Sequence, residues 1–159
     1  MPCRTTSTLW PNGKQVEMSR LKTTILCVDD HWNGLLGRKM LLESHGYRVL
    51  EATGGEEGMK LFHTHAVDAV VLDYQMPGMN GDVVAAKMKR LKAHVPIMLL
   101  SAFGPLPKNK LRSVDTFLPK AQETKLLVPS LRELLNSRPK PFFHRWLDTW
   151  RVRNRAVLP

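Results

Sequence analysis

The chain has 159 residues, about the size of one domain, and it can bury a core without disulfides or a structural metal. Its hydrophobic content of 43% is that of a globular protein, and no apolar run reaches the roughly 18 residues that a membrane-spanning helix needs. The net charge of +10 would suggest a nucleic-acid partner, but Arg138, Lys140, Arg145, Arg151, Arg153 and Arg155 face Asp148 alone in residues 137–159, so the excess says more about a tail than about the domain.

Residues 1–20 show no period and read as a flexible leader. They are polar apart from Leu9-Trp10 and so lack the apolar core of a signal peptide. With two cysteines, Cys3 in that leader and Cys27 in an apolar run, a disulfide is not expected and the reading is cytoplasmic.

Residues 21–30 form the first expected strand, ending in Asp29-Asp30. A helix over 32–45 follows, with apolar residues at 32, 35, 36, 40, 41 and 42 and Gly46 as its terminating residue. Residues 47–53 are a second strand. Residues 55–65 are a helix with Met59, Leu61 and Phe62 inward. Residues 67–74 are a near-continuous apolar strand, as expected when both faces are covered. Gln75-Met76-Pro77-Gly78-Met79-Asn80-Gly81 is dense in turn formers. A helix over 82–94 has Val83, Val84, Ala86, Met88 and Leu91 alternating with Lys87, Lys89, Arg90 and Lys92. A strand over 96–102, a short strand over 116–118 and a helix over 124–136 complete the domain.

Two places break this rhythm. Residues 103–113 hold Pro105 and Pro107 and few apolar positions, so one or two helical turns after Pro107 are all that fits between the fourth and fifth strands. Pro129 inside the last helix is expected to kink or restart it. Strand–helix alternation with short connections predicts an α/β fold: a five-stranded parallel sheet with helices on both faces, spanning 21–136, its fourth helix short or absent.

In such a sheet, ligands bind outside the carboxyl ends of the strands. Asp29 and Asp30 arrive there from the first strand, Asp73 from the third, Ser101 from the fourth and Lys120 from the fifth. Three carboxylates and one ammonium suit a hard divalent cation and a phosphoryl group.

These residues resemble a response-regulator receiver domain. The resemblance rests on the Val28-Asp29-Asp30 strand end, the segment Leu72-Asp73-Tyr74-Gln75-Met76-Pro77-Gly78-Met79-Asn80-Gly81, the Ser101-Ala102 strand end and Lys120, and it covers about 23–136. It implies a flavodoxin-like strand order. It also implies that Asp73 accepts a phosphoryl group from a phosphohistidine on a histidine kinase or phosphotransfer protein. Mg²⁺ would be held by Asp29, Asp30, Asp73 and the backbone carbonyl of Gln75, the acid pair dividing direct and water-bridged contact in an order left open. Lys120 and Ser101 would meet the phosphoryl oxygens. Phe117 matches an aromatic that reports switching in the family, and it reads equally as core; Ser101 also reads as a capping hydroxyl. The chain is then a single-domain switch and not an enzyme beyond accepting its own phosphoryl group. Slow autodephosphorylation is expected, because Gln75 and Phe103 flank the water's path and Phe103 can neither hold nor activate a water.

The match has departures. The family places a proline after the lysine through a cis bond; here Ala121 follows Lys120 and Pro119 precedes it, which is expected to change the turn and loosen the aim of Lys120. After the linker Ser137-Arg138-Pro139-Lys140-Pro141, residues Phe143, Trp146, Leu147 and Trp150 fall on one helical stripe. The first reading is a helix packed on its own domain or pairing two copies as a homodimer. An anionic membrane surface and nucleic acid are the alternatives. For the whole chain, a basic nucleic-acid binder on the same scaffold and a receiver that never takes phosphate are the competing functions.

Overall fold

The computed structural model describes residues 22–137. The leader and the C-terminal tail, with the helix expected around Trp146, lie outside the described residues. Five strands, β1 (Thr24–Val28), β2 (Arg48–Ala52), β3 (Ala69–Asp73), β4 (Ile97–Ser101) and β5 (Thr116–Pro119), form one parallel sheet in the order β2-β1-β3-β4-β5. This is the flavodoxin-like order, with its switch point between β1 and β3. Three helices connect β1 to β4 in turn, α1 (Trp32–Ser44), α2 (Gly55–Thr64) and α3 (Gly81–Leu91), and α4 (Glu123–Asn136) follows β5. Each expected element is present, one to three residues shorter at most ends. Gly46 closes α1 at φ 86°, a value that suits glycine, and its N–H donates to the Glu43 carbonyl.

Side chains alternate along each strand, which divides the core in two. Ile25 and Cys27, Ala69 and Val71, and Met98 and Leu100 pack against α1 and α4 through Leu35, Leu42, Leu127, Val128, Leu131 and Leu134. Leu26 and Val28, Val70 and Leu72, and Ile97 and Leu99 face α2 and α3 through Phe62, Val84, Ala85 and Met88. Burying each Val, Leu, Ile, Met or Phe among them contributes about 1.5–3 kcal/mol. Burial first, then the neighbouring acids Glu123, Glu51 and Asp29, pushes the Cys27 thiol up to about 12 despite the opposing charge of Arg38, so Cys27 is an inert core residue.

The apolar positions of α1 do not all face inward. Trp32 is 60% exposed, Met40 66%, and Leu36 is exposed as well. The buried positions are Leu35, Arg38 and Leu42, at i, i+3 and i+7. Apolar residues surround this helix, so periodicity could not select the face, and an arginine fills a core position. In α3, Val83 and Leu91 are likewise exposed while Ala85 is buried.

Between β4 and β5 there is no regular helix, only a single 3₁₀ turn over Lys108–Lys110, after Pro107. Pro129 neither ends nor restarts α4, which runs from Glu123 to Asn136 around it. Pro129 is exposed, as is Lys125, the residue whose carbonyl loses its donor.

Candidate functional site

Asp29, Asp30, Asp73, Ser101 and Lys120 arrive at the carboxyl edge of the sheet, because each sits at or just after the end of a strand. Asp29 and Asp30 follow β1, Asp73 ends β3, Ser101 ends β4, and Lys120 follows β5. Asp29, Asp73 and Ser101 are buried. One ligating atom from each of Asp29, Asp30, His31 and Asp73 can be chosen so that all lie within 4.8 Å of one another. Three carboxylates this close repel one another, which suits an oxygen-seeking divalent cation.

Lys120 joins the acids. Its Nζ lies 3.0 Å from Asp73 Oδ1 and donates to Asp29 Oδ2 at 3.1 Å. The expectation of a loosened lysine is therefore corrected. Among the described residues no peptide is cis, and Lys120–Gln122 form a 3₁₀ turn that runs directly into α4. Burial would lower the Lys120 pKa, but Asp73 and Asp29 outweigh it and hold the ammonium above its usual range. Burial, with the Asp29 charge, raises the Asp73 carboxyl despite the hydrogen bond from Lys120.

Asp29 is the most heavily engaged group. The His31 N–H donates to Oδ1 at 2.8 Å, and Arg38 Nη2 donates to Oδ2 at 2.6 Å alongside Lys120. Burial opposes its charged form, but these donors prevail and hold it below the usual carboxylate range. Arg38 and its second partner, Glu123, were missed from the sequence, as was His31. His31 is 73% exposed, with Nδ1 3.0 Å from Asp30 Oδ1 at the mouth of the cluster. The signal available for Arg38 was its place three residues after Leu35 and four before Leu42.

The Asp73 loop is fixed from behind. The Tyr74 N–H donates to the Leu100 carbonyl at 2.8 Å, and the Gly81 N–H donates to the Tyr74 carbonyl at 2.8 Å. A Cβ at Gly81 would lie 2.2 Å from the Asp73 carbonyl oxygen, so only glycine lets α3 start here. Met76 is buried beneath the loop and Gln75 is exposed above it. Ser101 Oγ accepts the Phe103 N–H at 3.1 Å, a local cap of the strand end. Phe117 is half-buried, at the register position opposite Leu99.

Residues 25–131 match a protein family described as the response regulator receiver domain. The transcriptional regulatory protein GlrR of Escherichia coli is 27% identical over 144 residues, covering 89% of this chain and 32% of that protein. The response regulator UvrY of the same species is 33% identical over 115 residues, covering 69% of this chain and 53% of its own length. The chain thus spans about a third of GlrR and about half of UvrY. Among solved structures, the response regulator TrrA of Thermotoga maritima in complex with Mg²⁺–BeF superposes with a TM-score of 0.67 at 31% identity, covering 70% of this chain and 98% of TrrA. TrrA in complex with the histidine kinase ThkA superposes with a TM-score of 0.67 at 32% identity, covering 71% and 98%.

Proposed function

The chain belongs to the response regulator receiver family, and from that premise we propose that it is a phosphorylation-controlled switch of a two-component phosphorelay, taking a phosphoryl group onto Asp73 from a phosphohistidine. The observation that carries this reading is the Lys120 ammonium held between the Asp73 and Asp29 carboxylates at 3.0 and 3.1 Å, with Asp30 beside them. The donor is a histidine kinase or a phosphotransfer protein; that TrrA is found bound to a histidine kinase supports this.

A carboxylate oxygen of Asp73 forms the new bond to phosphorus. The phosphorus–nitrogen bond of the donor breaks, and its imidazole leaves with the electron pair and takes up a proton. Asp73 must be ionised to attack, and Lys120 favours that form. As charge moves onto the phosphoryl oxygens, the ammonium is already beside them and need not reorganise. Asp29, Asp30, Asp73 and the Gln75 carbonyl would hold Mg²⁺, and the cluster fits it because its side-chain oxygens are crowded and its charge is in excess. When bound, Mg²⁺ neutralises that charge and aligns the phosphoryl oxygens. Ser101 would turn from its cap on Phe103 toward the new phosphoryl group, the local change that biases one receiver conformation over another. Hydrolysis of the phosphoprotein is slow, since Phe103 offers no group to orient a water.

Incubation with Mg²⁺ and a small-molecule phosphoryl donor tests the reading. One phosphoryl group should add to the mass, surviving acid and lost in base. An unchanged mass under these conditions contradicts it.

A further inference from the structure

Arg38 is only 3% exposed and occupies a core position of α1 between Leu35 and Leu42. Its guanidinium is shared. Nη2 donates to Asp29 Oδ2 at 2.6 Å, while Nε donates to Glu123 Oε1 in the first turn of α4. Among the described residues, Nη1 is buried without a hydrogen-bond partner. An arginine placed purely to hold two helices together would be expected to have its donors satisfied, because an orphaned buried N–H is costly. The packing around it is close: a Cβ at Gly34 would lie 3.3 Å from both Arg38 Nη2 and Asp29 Oδ2. The pair is thus seated directly under the first turn of α1, which leaves no room to spare.

Both oxygens of Asp29 already accept hydrogen bonds from protein donors. A divalent cation entering the cluster meets a fixed positive charge on one of its ligands. We propose that Arg38 is a built-in cation of the acid site that competes with Mg²⁺ for Asp29, and that Glu123 is the alternative anion that draws it away. The inference rests on the metal site of the proposed function. Arg38 is a positioning residue here: it acts through Asp29. Because Glu123 opens α4, occupancy of the metal site and the hold on the first turn of α4 are linked, and each biases the other equally.

Calorimetric titration of the full chain with Mg²⁺ tests this with variants that move the affinity in opposite directions. Arg38→Gln removes the competitor, and Mg²⁺ should bind on the order of tenfold tighter, as expected when a like charge leaves a partly buried site. Glu123→Gln leaves Arg38 with Asp29 as its remaining anion, and binding should weaken several-fold. Arg38→Lys keeps the charge and should return the affinity toward wild type. A purely structural role predicts weaker binding in Arg38→Gln, which would overturn the proposal. If Arg38→Gln does not fold, the half-buried Glu123 decides alone, and unchanged or tighter binding in Glu123→Gln overturns it. Equal affinities in all folded proteins overturn the competition and leave the metal site standing. No Mg²⁺ binding by any of them overturns both.

Discussion

Lys120, just past the end of the last strand, holds its ammonium 3.0 Å from the carboxylate of Asp73, which ends the central one. The same nitrogen reaches Asp29, so one cation offsets the repulsion between two buried acids. Lys120→Met removes the charge and keeps the apolar stem. Stability without divalent cations should fall by about 1.5–3 kcal/mol, the range for hydrogen bonds to charged groups. Mg²⁺ should then raise the melting temperature of the variant more than that of the wild type. Equal gains in the two proteins would show that Lys120 does not offset the acids.

Crowded carboxylates also predict that the metal stabilises the wild type. A ligand that binds only the folded state raises its stability by mass action. Millimolar Mg²⁺ should raise the melting temperature, and Asp30→Ala should erase the rise. The same rise in both proteins would remove Asp30 from the ligand set.

Gly81 has a steric prediction. The added Cβ of Gly81→Ala would collide with the Asp73 backbone, which cannot give way as a flexible side chain can. The cost should be at least the roughly 1–3 kcal/mol of ordinary overpacking. Gly37→Ala is the control: it lies on the exposed face of α1 with nothing within 4 Å of the new Cβ, and should stabilise by up to about 1 kcal/mol. Urea denaturation of both variants checks this, and similar stabilities would contradict it.

Phe103 is 61% exposed where the chain leaves Ser101. Phe103→Glu puts a group there that can orient water. The phosphoprotein lifetime should shorten several-fold, read from the decay of the phosphorylated mass. An unchanged lifetime would mean that residue 103 does not face the phosphoryl group.

Much of this was legible in the sequence because strands buried on both faces leave uninterrupted apolar runs, as in Val70-Val71-Leu72, and because charged residues at their ends share one edge of the sheet. The short connection after Pro107 was legible for the same kind of reason: two prolines and few apolar residues cannot build a helix. What was not legible depended on three-dimensional partners. The buried face of α1 was hidden by Trp32, Leu36 and Met40, which are apolar yet exposed. Nothing local singled out Arg38, because its partners, Asp29 and Glu123, lie 9 and 85 positions away. The 3₁₀ turn by which Lys120 runs into α4 was announced by no local motif either.

The central claim is that Asp73 is the phosphoacceptor, and intact mass measurement of the wild type and Asp73→Asn tests it most directly. Both proteins are incubated with Mg²⁺ and the same small phosphoryl donor, after their melting curves show that both are folded. The account predicts one added phosphoryl group on the wild type and none on Asp73→Asn. Undiminished labelling of Asp73→Asn would place the acceptor elsewhere and contradict it.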